Sequence, residues 1–166
     1  MSFKYLKRKL CVVITNRANY ARIKHFLIKA KNSKKINLQI VLSGSALIHR
    51  FGNIEELIKK DGLIITAKAY FLVDGGNEIT QAKSTGLAII ELSNIFQKIK
   101  PDIVLTVGDR YETISTAISS TYNNIFLAHI QGGEVSGNLD ENVRHSITKL
   151  SHLHFATTKK SKLRIL

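Results

Sequence analysis

Short apolar runs alternate along this chain with longer stretches of helical period, and that alternation restricts the possible fold more than any other feature. Residues 9–15, 36–42, 103–107 and 125–129 are apolar, rich in β-branched side chains and bounded by polar positions. Such runs read as strands buried on both faces. After the first, Ile23, Leu27 and Ala30 share one helical face while Arg22, Lys24 and Lys29 share the other, so a helix is expected from about Tyr20. A further helix is predicted over residues 54–60. The longest is predicted over 78–98, with Ile79, Ala82, Gly86, Ile89, Leu92 or Ser93, and Phe96 as its buried stripe, and Pro101 stops it from continuing. Residues 63–73 hold one short strand or two, and Asp74-Gly75-Gly76-Asn77 is a strong turn. Another helix carries Ile114, Ala117 and Ile118, a last short strand covers 152–156, and a helix begins at Ser161. No hairpin dipeptide joins adjacent apolar runs. The expected fold class is therefore α/β: a Rossmann-like open parallel sheet with helices on both faces, in a single domain spanning 1–166.

Charge raises the question of partners. The formal net charge of +13 admits a nucleic-acid reading. The cations, however, concentrate at residues 4–9, 29–35 and 159–164, as an arm and helix ends, without the interleaved aromatics that stack bases. A solvated surface that attracts a small phosphorylated ligand is expected instead, with no nucleic-acid partner. No apolar run is long enough to cross a bilayer, and the first ten residues lack the apolar core of a secretory signal, so a cytoplasmic location and no membrane partner are expected. Cys11, the only cysteine, lies inside an apolar run and reads as a buried, inert thiol. His152 and His154 read as a half-buried strand pair without a third ligand, so no metal and no other cofactor is expected.

In an open parallel sheet, ligands sit beyond the carboxyl ends of the strands. Those ends carry Asn16-Arg17, Ser43-Gly44-Ser45, Gly108-Asp109-Arg110 and His129-Ile130-Gln131-Gly132-Gly133-Glu134. The last continues through Asp140, Glu141, Arg144 and His145 into a helix marked by Val143, Ile147 and Leu150. Neither GxGxxG nor a P-loop is present, so dinucleotide and P-loop chemistry have no support. Four loops nonetheless bring cations, small residues and carboxylates to one rim, which suits an anionic, hydroxyl-rich ligand. Each has a plainer reading. Ser43 and Gly44 offer backbone N–H groups to a phosphate or make a tight turn. Arg17 donates paired hydrogen bonds to a diphosphate or is a surface arginine. Asp109, partly desolvated at the end of an apolar strand, suits proton transfer or caps the next helix. Residues 129–145 form a site or a capped turn with Arg144 and His145 solvated.

Asn16-Arg17-Ala18-Asn19-Tyr20, Lys100-Pro101-Asp102, Gly108-Asp109-Arg110 and residues 129–155 resemble the N-terminal half of the hydrolysing UDP-N-acetylglucosamine 2-epimerases, enzymes of sialic and related nonulosonic acid biosynthesis. The resemblance implies the first of two Rossmann-like domains in the glycosyltransferase-B (GT-B) arrangement, with a UDP-sugar substrate in the cleft between them. It implies loss of the sugar C2 proton with elimination of UDP, then addition of water to give N-acetylmannosamine. By position, Asp109 and Asp140 match acid/base carboxylates, His129 matches a histidine important for activity, and Arg17 and Arg110 match ligand-contacting arginines. Arg144 and His145 fall in the same motif. Gln131 stands where Glu is frequent, so Glu134 or Asp140 would carry the proton step or the substrate would be a modified UDP-sugar. Asn19 stands where Asp is usual, and Ala46 where His often is. The chain stops as a helix begins, which reads as a truncated or split frame with little turnover alone. A homo-oligomer when full length, or a companion C-terminal chain, would complete it. The rivals are half of a GT-B glycosyltransferase and a non-catalytic binding or partner domain.

Overall fold

The computed structural model describes residues 6–166. Its elements in order are β1 (Arg8–Ile14), α1 (Arg17–Asn32), β2 (Ile36–Ser43), two short 3-10 turns (Gly44–Leu47 and His49–Phe51), α2 (Ile54–Lys60), β3 (Ala67–Ala69), α3 (Glu78–Ile99), β4 (Ile103–Val107), α4 (Thr113–Tyr122), β5 (Phe126–Ile130), α5 (Leu139–Leu150), β6 (Leu153–Phe155) and α6 (Lys159–Ile165). Among the described residues the six strands are all parallel, in the order β3-β2-β1-β4-β5-β6. The chain runs outward from β1 to one edge, returns to β4 beside β1, and runs outward to the other edge. A crevice therefore opens where the strand order reverses, at the carboxyl ends of β1 and β4.

Side chains alternate across the central strand, so one apolar run feeds two cores. Val12 and Ile14 pack with Leu27 of α1, Ile54 and Ile58 of α2, and Ile40 and Leu42. Cys11 and Val13 face the other way, with Leu92 and Phe96 of α3, Val104, Leu127 and Ile147 of α5. Burial pushes the Cys11 thiol well above its ordinary pKa, in keeping with an inert core residue. At the amino end of the sheet, Lys9 N–H donates to Asp102 Oδ2 at 2.7 Å and Asp102 N–H to Lys9 O at 2.9 Å, locking β1 to β4.

Two local expectations need correction, and one left open is decided. Helix α1 starts at Arg17 rather than Tyr20, because Asn16 caps it by accepting from Asn19 N–H at 2.9 Å. Residues 63–73 hold one three-residue strand, β3. The buried stripe of α3 is Ser84, Ala88, Leu92 and Phe96, while Ile79, Ala82 and Gly86 are exposed. Its first half packs through hydroxyls: Ser115 Oγ donates to Thr85 O at 3.0 Å and Ser119 Oγ to Ile89 O at 3.1 Å. The helix ends as Pro101 requires, with Lys100 left-handed at φ 47° and its N–H donating to Phe96 O at 2.8 Å. Among the described residues, no helix is long and apolar enough to cross a membrane.

Candidate active site

Over the β1/β4 crevice lies a cavity of about 630 Å³. One wall is the start of α1, from Asn16 to Arg22, with Gly108, Asp109, Arg110 and Tyr111 beside it. The other is Arg50, Phe51 and the segment from Leu72 to Gln81. Arg17, Arg22, Arg50 and Arg110 all line it, against Asp109 and Asp74. Asp74 is already paired with Arg50 at 2.8 Å, so the cavity carries surplus positive charge suited to a polyanion.

The turn after β1 is fixed by a polar network. Thr15 Oγ1 donates to Asn19 Oδ1 at 2.6 Å, and Asn19 Nδ2 donates to Val107 O at 3.2 Å, tying the β1 turn to the end of β4. An aspartate at 19 would accept from Thr15 but leave Val107 O without that donor. Gly108 follows at φ +78°, where a side chain would be strained. Its N–H donates to Ile130 O at 3.1 Å, and its carbonyl lies 2.9 Å from His129 Nε2.

His129 itself is fully buried. Burial is the largest influence on its pKa, which falls to about 4, so the ring is neutral and Nε2–H donates to Gly108. The histidine thus holds the Gly108-Asp109-Arg110 loop from beneath and does not line the cavity.

Asp109 lines the cavity and receives Nε of Arg144 at 2.8 Å; Nη2 of Arg144 bonds the same Oδ2. The guanidinium also donates to Glu134 O at 2.5 Å and Ser136 Oγ at 3.2 Å. Only 4% of Arg144 is exposed. It is buried rather than solvated and does not line the cavity, with its N–H groups committed to orienting Asp109 and the 134–136 turn. Asp140 stands one turn before Arg144 on the same face of α5, so Asp109 and Asp140 belong to the same carboxyl edge of the sheet.

Of the residues expected at the site, Arg17, Asp109 and Arg110 line the cavity. Gln131, left-handed at φ 73°, borders it: its Oε1 accepts from Arg22 Nη1 at 2.9 Å. Glu134 turns to Thr157, whose hydroxyl donates to Oε1 at 2.5 Å, and His145 faces Glu141 at 3.4 Å. Ser43 ends β2 and Gly44 opens the 3-10 turn after it, and neither lines the cavity. The Ser43 hydroxyl, fully buried, donates to Ile14 O at 3.2 Å, and a β-carbon added at Gly44 would come within 3.1 Å of Thr15 O and 3.3 Å of the Phe71 ring. Ser45 lines the cavity in their place. His152 stacks on Phe126 at the amino end of β6, away from the cavity. Sequence reasoning missed Arg22, which helical patterning puts on the outer face, together with Arg50 and Glu112, a carboxylate buried to 1% exposure two residues after the Gly108-Asp109-Arg110 motif.

Residues 28–166 match the family described as UDP-N-acetylglucosamine 2-epimerase. The chain belongs to that family. It is 38% identical over 161 residues to the GDP/UDP-N,N'-diacetylbacillosamine 2-epimerase (hydrolyzing) of Campylobacter jejuni, covering 96% of this chain and 42% of that relative. Identity to the UDP-N,N'-diacetylbacillosamine 2-epimerase (hydrolyzing) of Legionella pneumophila is 36% over 159 residues, again 96% of this chain and 42% of the relative. The UDP-GlcNAc 2-epimerase of Neisseria meningitidis, crystallised with UDP-GlcNAc, superposes with a TM-score of 0.81 at 22% identity, over 95% of this chain and 42% of that one. The Rossmann-like fold is therefore that of one half of the GT-B arrangement seen in epimerase-family structures. The chain spans well under half the length of these epimerase-family proteins.

Proposed function

We propose that this chain supplies the sugar-diphosphate half of the cleft of a hydrolysing UDP-HexNAc 2-epimerase acting in the cytoplasm. The observation that carries this reading is Asp109, oriented by buried Arg144 at the mouth of a cavity that also holds Arg17 and Arg110. A fixed carboxylate beside surplus cations suits removal of a proton next to a departing diphosphate. In this reading Asp109 and Asp140 exchange protons with the sugar, and Arg17 and Arg110 take the diphosphate. His129 and Arg144 act by positioning the Asp109 loop. The C2 proton leaves with UDP, and water then adds to give the 2-epimeric sugar and free UDP.

The Campylobacter jejuni and Legionella pneumophila relatives are named for diacetylbacillosamine, which favours a UDP-linked diacetamido sugar as substrate and nonulosonic acid biosynthesis as the setting. Gln131 fits that choice: with its oxygen engaged by Arg22, its amide N–H groups remain to donate to an acetamido carbonyl. The remaining length of the relatives would supply the uridine contacts, in a homo-oligomer or a companion chain. The test is UDP release from UDP-GlcNAc and UDP-N,N'-diacetylbacillosamine by this chain alone and joined to the C-terminal half of the Campylobacter jejuni relative. The expected result is negligible turnover alone and 2-epimer plus UDP from the joined protein. A glycosyl transfer product, or UDP-sugar bound but never cleaved, would overturn it.

A further inference from the structure

Of the four arginines that line the cavity, Arg50 and Arg110 are each paired with a carboxylate. Arg50 has Asp74, and Asp109 is taken by Arg144. Arg110 has Glu112: its Nε lies 3.1 Å from one carboxylate oxygen and 3.4 Å from the other. The two residues differ sharply in exposure, the Glu112 side chain at 1% and that of Arg110 at 50%. The guanidinium therefore emerges from a buried anchor into the cavity, with its plane near the Tyr111 ring at 5.6 Å from the centroid. Anchoring through Nε leaves the two terminal amino groups as the outward edge of the fork, which matches two oxygens of a phosphate.

We propose that Glu112 is a positioning residue for ligand binding, fixing Arg110 so that its terminal amino groups take up the diphosphate of the nucleotide sugar. The inference rests on the UDP-sugar reading of the cavity. A carboxylate this buried has a strong need for its partner, and burial pushes its pKa above the usual range with Arg110 opposing. Removing Glu112's charge frees Arg110 to swing toward solvent, away from Arg17 and Arg22.

The experiment is a calorimetric titration with UDP of this chain joined to the C-terminal half of the Campylobacter jejuni relative, for wild type, Glu112→Gln, Arg110→Ala and the double variant, with thermal melts in parallel. Glu112→Gln should weaken UDP binding about fivefold and Arg110→Ala about tenfold, with the double variant within twofold of Arg110→Ala. An effect that passes through Arg110 vanishes once Arg110 is gone; a merely structural one adds. Additive losses, or a Glu112→Gln chain that binds UDP like wild type, overturn the proposal while leaving the cavity's function standing. Wild type that shows no UDP binding sinks the UDP-sugar reading and this inference together. Should Glu112→Gln fail to fold, Arg110→Lys at the half-exposed position decides the matter. It keeps the charge but loses the anchored fork, so it should bind UDP nearly as weakly as Arg110→Ala, and wild-type affinity would refute the proposal.

Discussion

Replacing Asp109 by Asn tests how firmly the site is built around one ion pair. The side chain keeps its shape and one acceptor oxygen, so the change is chiefly one of charge. Arg144 is then left as a cation at 4% exposure with only neutral acceptors: the amide oxygen at position 109, Glu134 O and Ser136 Oγ. Removing one partner of a fully buried pair costs about 3–5 kcal/mol. The Asp109 side chain is a quarter exposed, so water screens part of that attraction, and the expected loss is about 2 kcal/mol. Urea unfolding should show a lower midpoint at unchanged slope. Adding Arg144→Met to Asp109→Asn removes the orphaned cation and should recover about 1 kcal/mol. A loss below about 0.5 kcal/mol for Asp109→Asn, or a double variant weaker than the sum of the singles, would refute the clamp.

Further expectations concern the supports of that loop. His129 has a folded pKa near 4 against an ordinary value near 6.5, so the unfolded chain binds more protons between those values. Stability therefore rises with pH across that window, and about 3 kcal/mol is lost on descending through it. His129→Gln, which can still donate to Gly108 O, should flatten this part of the pH profile, and an unchanged profile would exclude His129 as its source. Gly133 sits at φ +76°, where an added β-carbon would run into Ser161 O and come within 2.8 Å of Ile165 Cγ1. Gly133→Ala should loosen α6 and destabilise by about 2 kcal/mol or more, read as faster amide exchange in α6.

How much of this was legible in the sequence follows from what each residue type reports. Apolar runs marked β4 and the extent of α2 to the residue, because burial on a pleated or helical surface is what hydrophobicity measures. The phase of α3 was misread where its packing uses Ser84, Thr85 and Ser93, since small hydroxyls fill an interface without an apolar signal. The rim was legible as a set of strand ends, as parallel topology demands. The division of labour within it was not. Arg144 and Arg17 look alike in a sequence, yet one is buried and committed to Asp109 while the other lines the cavity. Glu112 gave no signal beyond its place after the motif, because only the tertiary structure shows a carboxylate sealed beneath Arg110.

The central claim is that the β1/β4 cavity is half of a site that removes and restores the sugar C2 proton. Its most direct measurement is NMR of the sugar formed from a UDP-HexNAc in D₂O by this chain joined to the C-terminal half of a relative. One deuterium at C2 of a 2-epimeric product, with equimolar UDP and loss of turnover in Asp109→Asn, is the predicted result. A released sugar that keeps its C2 hydrogen and configuration, or activity indifferent to Asp109, would contradict it.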